Sequence, residues 1–164
     1  MTATVNRMAA EQIVERNVPI VEEFRSNQGR IGGPFDGHTM LLLHNRGRRT
    51  GAHNVNPVAY LPDSDDPATV YVFASAGGRP HHPQWYRNLI AAGQAEVEIG
   101  TDRFPVTVHE VTGAERDRIY ALQVERMPGF GEYERRLAGV RTIPVVALRR
   151  ARGQDTVAPV RTNS

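Results

Sequence analysis

The 164-residue chain contains no cysteine, which excludes thiol catalysis, iron–sulfur clusters, cysteine-ligated zinc and a disulfide scaffold. It also contains no lysine, because all 20 of its basic residues are arginine. A Schiff-base lysine and a Walker-type phosphate loop are therefore excluded as well. With 18 acidic residues against them, the arginines leave a net charge of only +2, so charge gives no reason to expect nucleic acid as a partner.

The chain also has no apolar run near the roughly 20 residues that a membrane-spanning helix needs, and no apolar signal-peptide core. We therefore expect a cytoplasmic protein. Residues 1–16 are expected to form a flexible or weakly amphipathic segment, for which peripheral association with the inner face of the cell membrane is one interpretation. A single domain is expected over residues 17–150, followed by a disordered tail over 151–164.

Periodicity and turn residues predict short strands alternating with short helices. The predicted strands cover residues 38–46, 52–61, 69–75, 94–100, 104–111 and 142–150, and the predicted helices cover 17–29, 82–92, 113–125 and 130–139. Short connections between successive strands favour antiparallel pairing. The sequence therefore predicts a mainly β fold with helices, a small antiparallel barrel of about six strands.

Three details of this prediction can be checked directly. The hairpin of the fourth and fifth strands should turn at Thr101 and Asp102. The helix over 82–92 should bury Trp85, Leu89 and Ile90. The helix that follows the fifth strand should begin with a capping box, because Thr112 and Glu115 have the required spacing.

The stretch 47–51 is the most informative for function, because it places two guanidinium groups, Arg48 and Arg49, between glycines in a hairpin turn. With the hydroxyl of Thr50 and exposed amides beside them, these groups suit a phosphate or a cluster of carboxylates. Taken alone, a solvated basic turn is the simpler interpretation of this stretch.

Two further stretches could contribute to a site. The small residues at 74–78 would let a planar ligand approach the backbone, although an ordinary strand-to-helix loop would look the same. Helical spacing puts Gln84 and Asn88 on one face of the next helix, whereas we interpret Trp85 as a packing residue.

Several other kinds of site find no support. The six histidines lack the spacing of a zinc site, so no metal is expected. No serine has the surroundings of a hydrolase nucleophile, and no G-x-G-x-x-G motif indicates a nicotinamide site.

Six stretches in unbroken order between Asn17 and Leu148 give the chain a family resemblance: EFRxNxGxxGGPFDG, LLLHNRGRRTG, NPVAYL, VFASAGG, HPQWYRNL and RTIPVVAL. In combination they resemble the deazaflavin-dependent nitroreductases, also called F420H2-dependent quinone reductases. The resemblance implies a split β-barrel, like that of FMN-binding proteins, that binds coenzyme F420, a deazaflavin with a phosphate and an oligoglutamate tail. It also implies hydride transfer from the reduced coenzyme to an electron-poor small molecule, such as a quinone, a nitroaromatic or an activated enone.

The motifs also imply roles for individual residues. The hairpin would hold the phosphate and tail, a strand would run along the cofactor, a turn would contact the ring and a helix would close over it. The implied cofactor-binding residues are Arg48, Arg49, Thr50, Asn54, Val55, Asn56, Pro57, Val58, Ala59, Phe73, Ala74, Ser75, Ala76, Gly77, Gln84, Trp85, Tyr86, Arg87 and Asn88.

The implied substrate pocket comprises Met127, Phe130 and Tyr133. Ser75 would polarise the acceptor or the ring, and Tyr133 would donate a proton or position the substrate. Family members often carry a basic residue at the position of Asn54 and a lysine at that of Ala76. They also often have several tyrosines in the pocket, where here only Tyr133 keeps a hydroxyl.

Two alternative functions stay open at this point. Split barrels also bind flavins, so an FMN-dependent oxidoreductase is one alternative. The other is a carrier that sequesters the cofactor or a lipophilic ligand without turnover. Either a monomer or a homodimer would be compatible with the sequence.

Overall fold

The computed structural model describes residues 18–30 and 39–151, and within them six strands form a closed antiparallel barrel. The strands are β1 (Met40–Arg46), β2 (His53–Pro62), β3 (Thr69–Phe73), β4 (Gln94–Ile99), β5 (Asp102–Val111) and β6 (Val145–Arg150), arranged in the order β1-β2-β3-β6-β5-β4. The helices are α1 (residues 18–26), α2 (Gln84–Ala92), α3 (Gly113–Arg126) and α4 (Gly129–Arg136). The predicted antiparallel barrel is confirmed. The predictions for residues 1–16 and for the tail from 152 onward lie outside the described residues.

Three local predictions need correction. The β4–β5 turn consists of Gly100 and Thr101, because Asp102 already pairs with Ile99. Ile90 is 42% exposed, since the buried stripe of α2 is formed instead by residues 85, 88 and 89. Thr112 does occupy the N-cap of α3, but its side chain makes no capping hydrogen bond.

The sequence of β1 begins with a continuous apolar run, residues 40–43, because both faces of the strand are buried. Successive side chains of a strand point to opposite faces. Leu41 and Leu43 therefore pack inside the barrel, whereas Met40 and Leu42 pack outside it against Phe24 of α1. The barrel core and the contact with α1 thus depend on the same seven-residue strand.

A second cluster covers the outer face of β3 and β6 with α3 and α4. Phe73 makes edge-to-face contacts with Tyr120 and Phe130 at centroid distances of 5.9 and 5.8 Å. The hydroxyl of Tyr120 donates to the backbone oxygen of Phe130 at 2.7 Å, so the buried ring leaves no polar atom unpaired. These contacts fix α4 against the end of β3.

β2 pairs with its two neighbouring strands over successive parts of its length. β1 pairs with it from His53 to Ala59, but β3 pairs with it only from Tyr60 to Pro62. Because β3 ends at Phe73 and the chain then turns away, residues 53–59 of β2 form an open edge in the side of the barrel.

The direction of the peptide groups along this open edge follows from one hydrogen bond. Tyr60 N–H donates to the oxygen of Thr39 at 3.1 Å, so the even-numbered residues of β2 bond to β1. In an antiparallel ladder bonding to one neighbour alternates along the strand. The odd-numbered peptide groups therefore face the open edge, and they include those of Val55, Pro57 and Ala59.

None of the helices within residues 18–30 and 39–151 is both long enough and apolar enough to cross a membrane.

We expect Leu43→Ala to lower the free energy of unfolding by about 2–5 kcal/mol, because it leaves a cavity at a fully buried position of the barrel core. Leu122→Ala makes the same chemical change on the exposed face of α3, where the leucine is 38% accessible, and should cost less than about 1 kcal/mol. Urea denaturation of both variants measures the difference. Similar losses would mean that β1 does not carry the barrel core.

Candidate functional site

The hairpin between β1 and β2 is tied to α2 through Arg48. Its guanidinium Nη1 donates to Oε1 of Gln84 at 2.8 Å and to Oδ1 of Asn88 at 3.1 Å, and its backbone N–H donates to the same Asn88 oxygen. The hairpin and the helix that the sequence assigned to one cofactor site are therefore in direct contact. This contact also holds the guanidinium in one orientation at the end of the open edge.

A chain of buried amides extends from this contact into the barrel. Nδ2 of Asn88 donates to Oδ1 of Asn45 at 2.9 Å, and Nδ2 of Asn45 donates to Oδ1 of Asn56 at 3.0 Å. Asn45 and Asn88 are only 6% and 4% exposed, so their amides depend on each other for hydrogen bonds. The network joins β1, β2 and α2 behind the hairpin.

Arg49 and Thr50 take no part in the hydrogen bonds of this network among the described residues. Thr50 Oγ1 accepts the backbone N–H of Ala52 at 3.1 Å, which stabilises the turn. Arg49 is exposed and makes no hydrogen bond or ion pair with any residue between 18–30 or 39–151. Its guanidinium is therefore available to an anionic ligand.

The turn after β3 has an uncommon backbone. Ala76, Gly77 and Gly78 all have positive φ angles, of 50°, 63° and 83°. A Cβ at Gly78 would lie 2.9 Å from Nη1 of Arg136 and 3.1 Å from Cδ1 of Tyr133, so only glycine lets α4 approach this closely. The turn and α4 therefore pack as one unit.

The turn also presents hydrogen-bond donors without partners. The amides of Ala76 and Gly77 donate to no described residue, and neither does the hydroxyl of Ser75, a residue only 9% exposed. Successive free amides in such a turn form a concave site for an electronegative atom. We call residues 74–78 the Ser75 turn.

Arg141 holds the Ser75 turn from behind, and the sequence analysis did not identify it. Its Nη2 donates to the oxygen of Ser75 at 2.9 Å, and its Nη1 donates to the oxygen of Ala74 at 3.0 Å. The only signal in the sequence was its place at the start of the RTIPVVAL motif, 66 residues beyond Ser75.

The predicted substrate residues lie beside the same turn. Tyr133 is half-buried and contacts Phe130 at a centroid distance of 5.3 Å, and its hydroxyl has no partner among the described residues. Phe130 is 7% exposed and belongs to the second core cluster. Met127 packs at the edge of that cluster, where its sulfur accepts Nε2 of Gln123 at 3.3 Å.

The predicted residues of β2, 54–59, run along the open edge between these two groups. The edge begins beside the arginine hairpin at His53 and reaches Ala59, next to the place where β3 ends. Six residue steps of extended strand correspond to about 20 Å. Side chains on the inner face, including that of Val58, pack in the barrel core, so this strand offers mainly backbone groups to the open edge.

The remaining predicted residues of α2 are divided between core and surface. Trp85 is 9% exposed and lies in the barrel core, which confirms its interpretation as a packing residue. Tyr86 donates its hydroxyl to Oε2 of Glu110 at 2.8 Å, and burial together with this bond raises the pKa of Tyr86 to about 12. Arg87 is exposed. The structure thus brings Gln84 and Asn88, but not Trp85 or Tyr86, to the hairpin.

Comparison with known proteins identifies the family. The F420H2-dependent quinone reductase family matches residues 16–150. The chain belongs to this family.

Two kinds of relative agree with this membership. An F420H2-dependent quinone reductase of Mycobacterium tuberculosis is 34% identical over 131 residues, which cover 77% of this chain and 85% of the relative. A solved F420-H2 dependent reductase matches with a TM-score of 0.59 and 29% identity, covering 68% of this chain and 94% of the other. A solved domain-swapped dimer matches with a TM-score of 0.61 over 91% of this chain and 100% of the other, and its 24% identity shows the shared fold alone.

The residues present in this F420H2-dependent quinone reductase family member fit its cofactor. A deazaflavin with an anionic tail needs positive charge at one end and hydrogen-bond donors near the ring. Within residues 18–30 and 39–151, Arg49 supplies an unpaired guanidinium, and the Ser75 turn supplies a buried hydroxyl and two free amides. The donor-rich groups at the two ends of the open edge therefore match the two ends of the cofactor.

A cavity of about 440 Å³ elsewhere in this family member contains none of the predicted site residues. It lies between α3, α4 and the loop before β6. The buried Arg116 guanidinium in its wall already donates to the oxygen of Ile143 and to carboxylates of Asp117 and Glu134. This cavity is therefore not the candidate site.

We expect Asn88→Ala to lower the free energy of unfolding by about 1–3 kcal/mol, because Asn45 would lose its buried hydrogen-bond donor. Asn54→Ala removes a half-buried amide that bonds only to the oxygen of Ala52, and it should cost less than about 1 kcal/mol. Thermal unfolding followed by circular dichroism compares the two. An equal loss in both variants would contradict a stabilising role for the buried network.

Proposed function

We propose that this chain transfers a hydride from reduced coenzyme F420 to a quinone-type acceptor at the open edge of β2. Membership of the family establishes the oxidoreductase class and coenzyme F420 as the cofactor. The observation that carries the residue assignment is the open edge itself, which has an arginine pair at one end and the Ser75 turn at the other. Nitroaromatics and activated enones are the further acceptors that we propose.

At the hairpin, the chain binds negative charge. Arg49 is free to pair with a phosphate or carboxylate, and a guanidinium can donate two parallel hydrogen bonds to either group. Arg48 is already oriented by Gln84 and Asn88, so little side-chain entropy is lost when it binds a ligand. The open-edge peptide groups of Val55 and Ala59 offer hydrogen bonds along the same line.

At the Ser75 turn, the chain favours the acceptor's charged state. When bound, the reduced deazaflavin supplies the hydride. Negative charge then develops on the oxygen of a quinone-type acceptor, and the amides of Ala76 and Gly77 are placed to stabilise such charge without rearrangement. The Ser75 hydroxyl can donate a third hydrogen bond.

On the α4 side, Tyr133 completes the pocket. Its ring lies against Gly78, and its hydroxyl has no partner in the described residues, so it is free to donate a proton to the acceptor. Phe130 packs behind it and excludes water from that side. We assign Ser75 and Tyr133 as the catalytic residues on this basis.

The proposal is tested by adding menadione to the protein with reduced F420 and following the cofactor's oxidation. We expect turnover with F420 and no comparable binding of FMN in a spectral titration. Binding of FMN with turnover would favour the flavin-dependent alternative. Tight F420 binding without oxidation by any quinone or nitro compound would favour the carrier. Cytoplasmic location, peripheral membrane association through residues 1–16 and a monomeric or homodimeric state stay predictions from the sequence.

We expect the double variant Arg48→Ala/Arg49→Ala to bind F420 much more weakly, since each charged hydrogen bond is worth roughly 1.5–3 kcal/mol, or about tenfold or more in Kd. The affinity of the unchanged protein should also fall as salt is added. Arg118→Ala removes an arginine paired to Glu115 on α3 and serves as the control. An unchanged Kd in the double variant would mean that the hairpin is only a solvated basic turn and does not bind the cofactor.

We expect Tyr133→Phe to lower kcat by about 10²–10⁴ if the hydroxyl is the general acid, because the ring and its packing against Phe130 remain. A positioning role would instead raise KM with a smaller loss of kcat. The Kd for F420 should stay the same in both cases. Steady-state kinetics with menadione measure the two constants. If both keep their wild-type values, Tyr133 contributes only to packing.

A further inference from the structure

We propose that Arg141, anchored by neutral His82, is a positioning residue that fixes the hydrogen-bond donors of the Ser75 turn for the acceptor. The proposal rests on the function proposed above for that turn. Arg141 lies outside the residues assigned from the family motifs, and its hydrogen bonds to the turn are made to backbone oxygens rather than to the free amides.

All three nitrogens of the Arg141 guanidinium bind one short segment. Besides the oxygens of Ala74 and Ser75, Nε donates to the oxygen of Arg79 at 3.1 Å and Nη1 contacts Nδ1 of His82 at 2.9 Å. No carboxylate of the described residues forms an ion pair with it. The charge is therefore used to bind backbone oxygens, and burial lowers the pKa of Arg141.

The Ser75 oxygen accepts hydrogen bonds from Arg141 Nη2 and from Gly78 N–H, each at 2.9 Å, and together they determine where the Ala76 amide points. In a planar trans peptide the C=O of one residue and the N–H of the next point in opposite directions. Because the Ser75 oxygen faces Arg141, the Ala76 N–H must face away from it. Arg141 thus orients a donor that it does not touch.

Ala76 also needs such support for its backbone. A residue with a Cβ at φ +50° is strained, and strain of this kind persists only where the surroundings hold it. The turn's own hydrogen bonds run from Ser75 N–H to the Phe73 oxygen, from Gly78 N–H to the Ser75 oxygen and from Arg79 N–H to the Ala76 oxygen. Arg141 adds charged donors to the oxygens of Ala74 and Ser75, and so strengthens the hold on the two peptides that precede the strained residue.

His82 can anchor Arg141 only in its neutral form, with the proton on Nε2 and the lone pair on Nδ1. Burial, followed by the charges of Arg141 and Arg87, lowers the pKa of His82, whereas Glu110 acts in the opposite direction. The ring of Tyr86 packs on it at 5.0 Å. Protonation would place an N–H against the guanidinium, so the anchor is lost as the pH falls through the pKa of folded His82, below 6.5.

The first test compares Arg141→Lys with Arg116→Lys. Both remove a buried or half-buried guanidinium that binds backbone oxygens, but Arg116 binds the oxygen of Ile143 rather than the Ser75 turn. In the cofactor-free protein, we expect hydrogen exchange at the bonded amides of Ser75, Gly78 and Arg79 to become roughly tenfold faster only in Arg141→Lys. With reduced F420 and menadione, kcat should fall roughly 10- to 100-fold only in that variant. The Kd for F420 should rise less in Arg141→Lys than kcat falls, because the arginine hairpin still binds the anionic end of the cofactor, and it should stay unchanged in Arg116→Lys.

The second test changes His82 and keeps Arg141. In the unchanged protein, kcat should decline below pH 6.5 as His82 is protonated. Asparagine at this position can place its Oδ1 where Nδ1 lies and does not titrate, so His82→Asn should keep the kcat of the unchanged protein without this decline. His82→Phe removes the acceptor and should have low kcat at every pH. If Arg141→Lys does not fold, the two His82 variants still test whether the contact between His82 and Arg141 is needed for turnover.

Unchanged exchange and unchanged kcat in Arg141→Lys would overturn the proposal, and so would the same local changes in Arg116→Lys. A decline of kcat at low pH that persists in His82→Asn would overturn the role of His82. If the unchanged protein fails to oxidise reduced F420, the proposed function fails instead, and the exchange experiment still shows whether Arg141 orders the turn.

Discussion

The early end of β3 is the constraint on which the rest of the site depends. If β3 continued beyond Phe73 it would pair with Val58 and the residues before it, and the barrel would have no open edge. Instead the chain leaves the sheet through a turn with three positive φ angles and reaches α2 beside the hairpin. One departure from regular pairing therefore creates both the free peptide groups of β2 and the donor-bearing turn.

Arginine has a distinct structural use in this lysine-free chain. Arg48 binds side-chain amide oxygens, Arg116 binds a backbone oxygen, and Arg141 binds three of them. A planar guanidinium can serve several oxygens at fixed angles, whereas a lysine ammonium carries only three donors on one atom. The hairpin and the Ser75 turn are therefore held by two guanidinium groups, those of Arg48 and Arg141, that bind neutral oxygens.

The sequence predicted the barrel well because its signals were local. The apolar run at 40–43, the alternation in β4 and β5, and the glycines at the turns each identify an element without knowledge of its partners. The error at Ile90 has a tertiary cause, since Asn88 takes the buried position in order to bond to Asn45 of β1. The one-residue error at the β4–β5 turn arose because Gly100 has a φ of 59° and occupies the turn itself.

The candidate site was predictable only where a motif named its residues. The hairpin was predicted from its paired arginines between glycines, and the roles of the Ser75 turn and Tyr133 were predicted from the motifs, while family membership supports the cofactor. Arg141 could not be found, because its role depends on contacts with residues 59 to 67 positions away and on a backbone conformation that the sequence does not state. Pro57 was the one sequence signal of an open edge in β2, because proline within a sheet is found on edge strands. The extent of the edge could not be predicted, since only the length of β3 leaves these residues unpaired.

The proline in the open edge has a consequence for association between molecules. A strand with unpaired peptide groups is a template for a strand of another chain, and such pairing leads to aggregation. Pro57 stands in the middle of the edge and has no N–H, so an incoming strand would find a missing donor where its ladder should be continuous. The edge can therefore remain accessible to a small molecule while resisting the addition of a seventh strand.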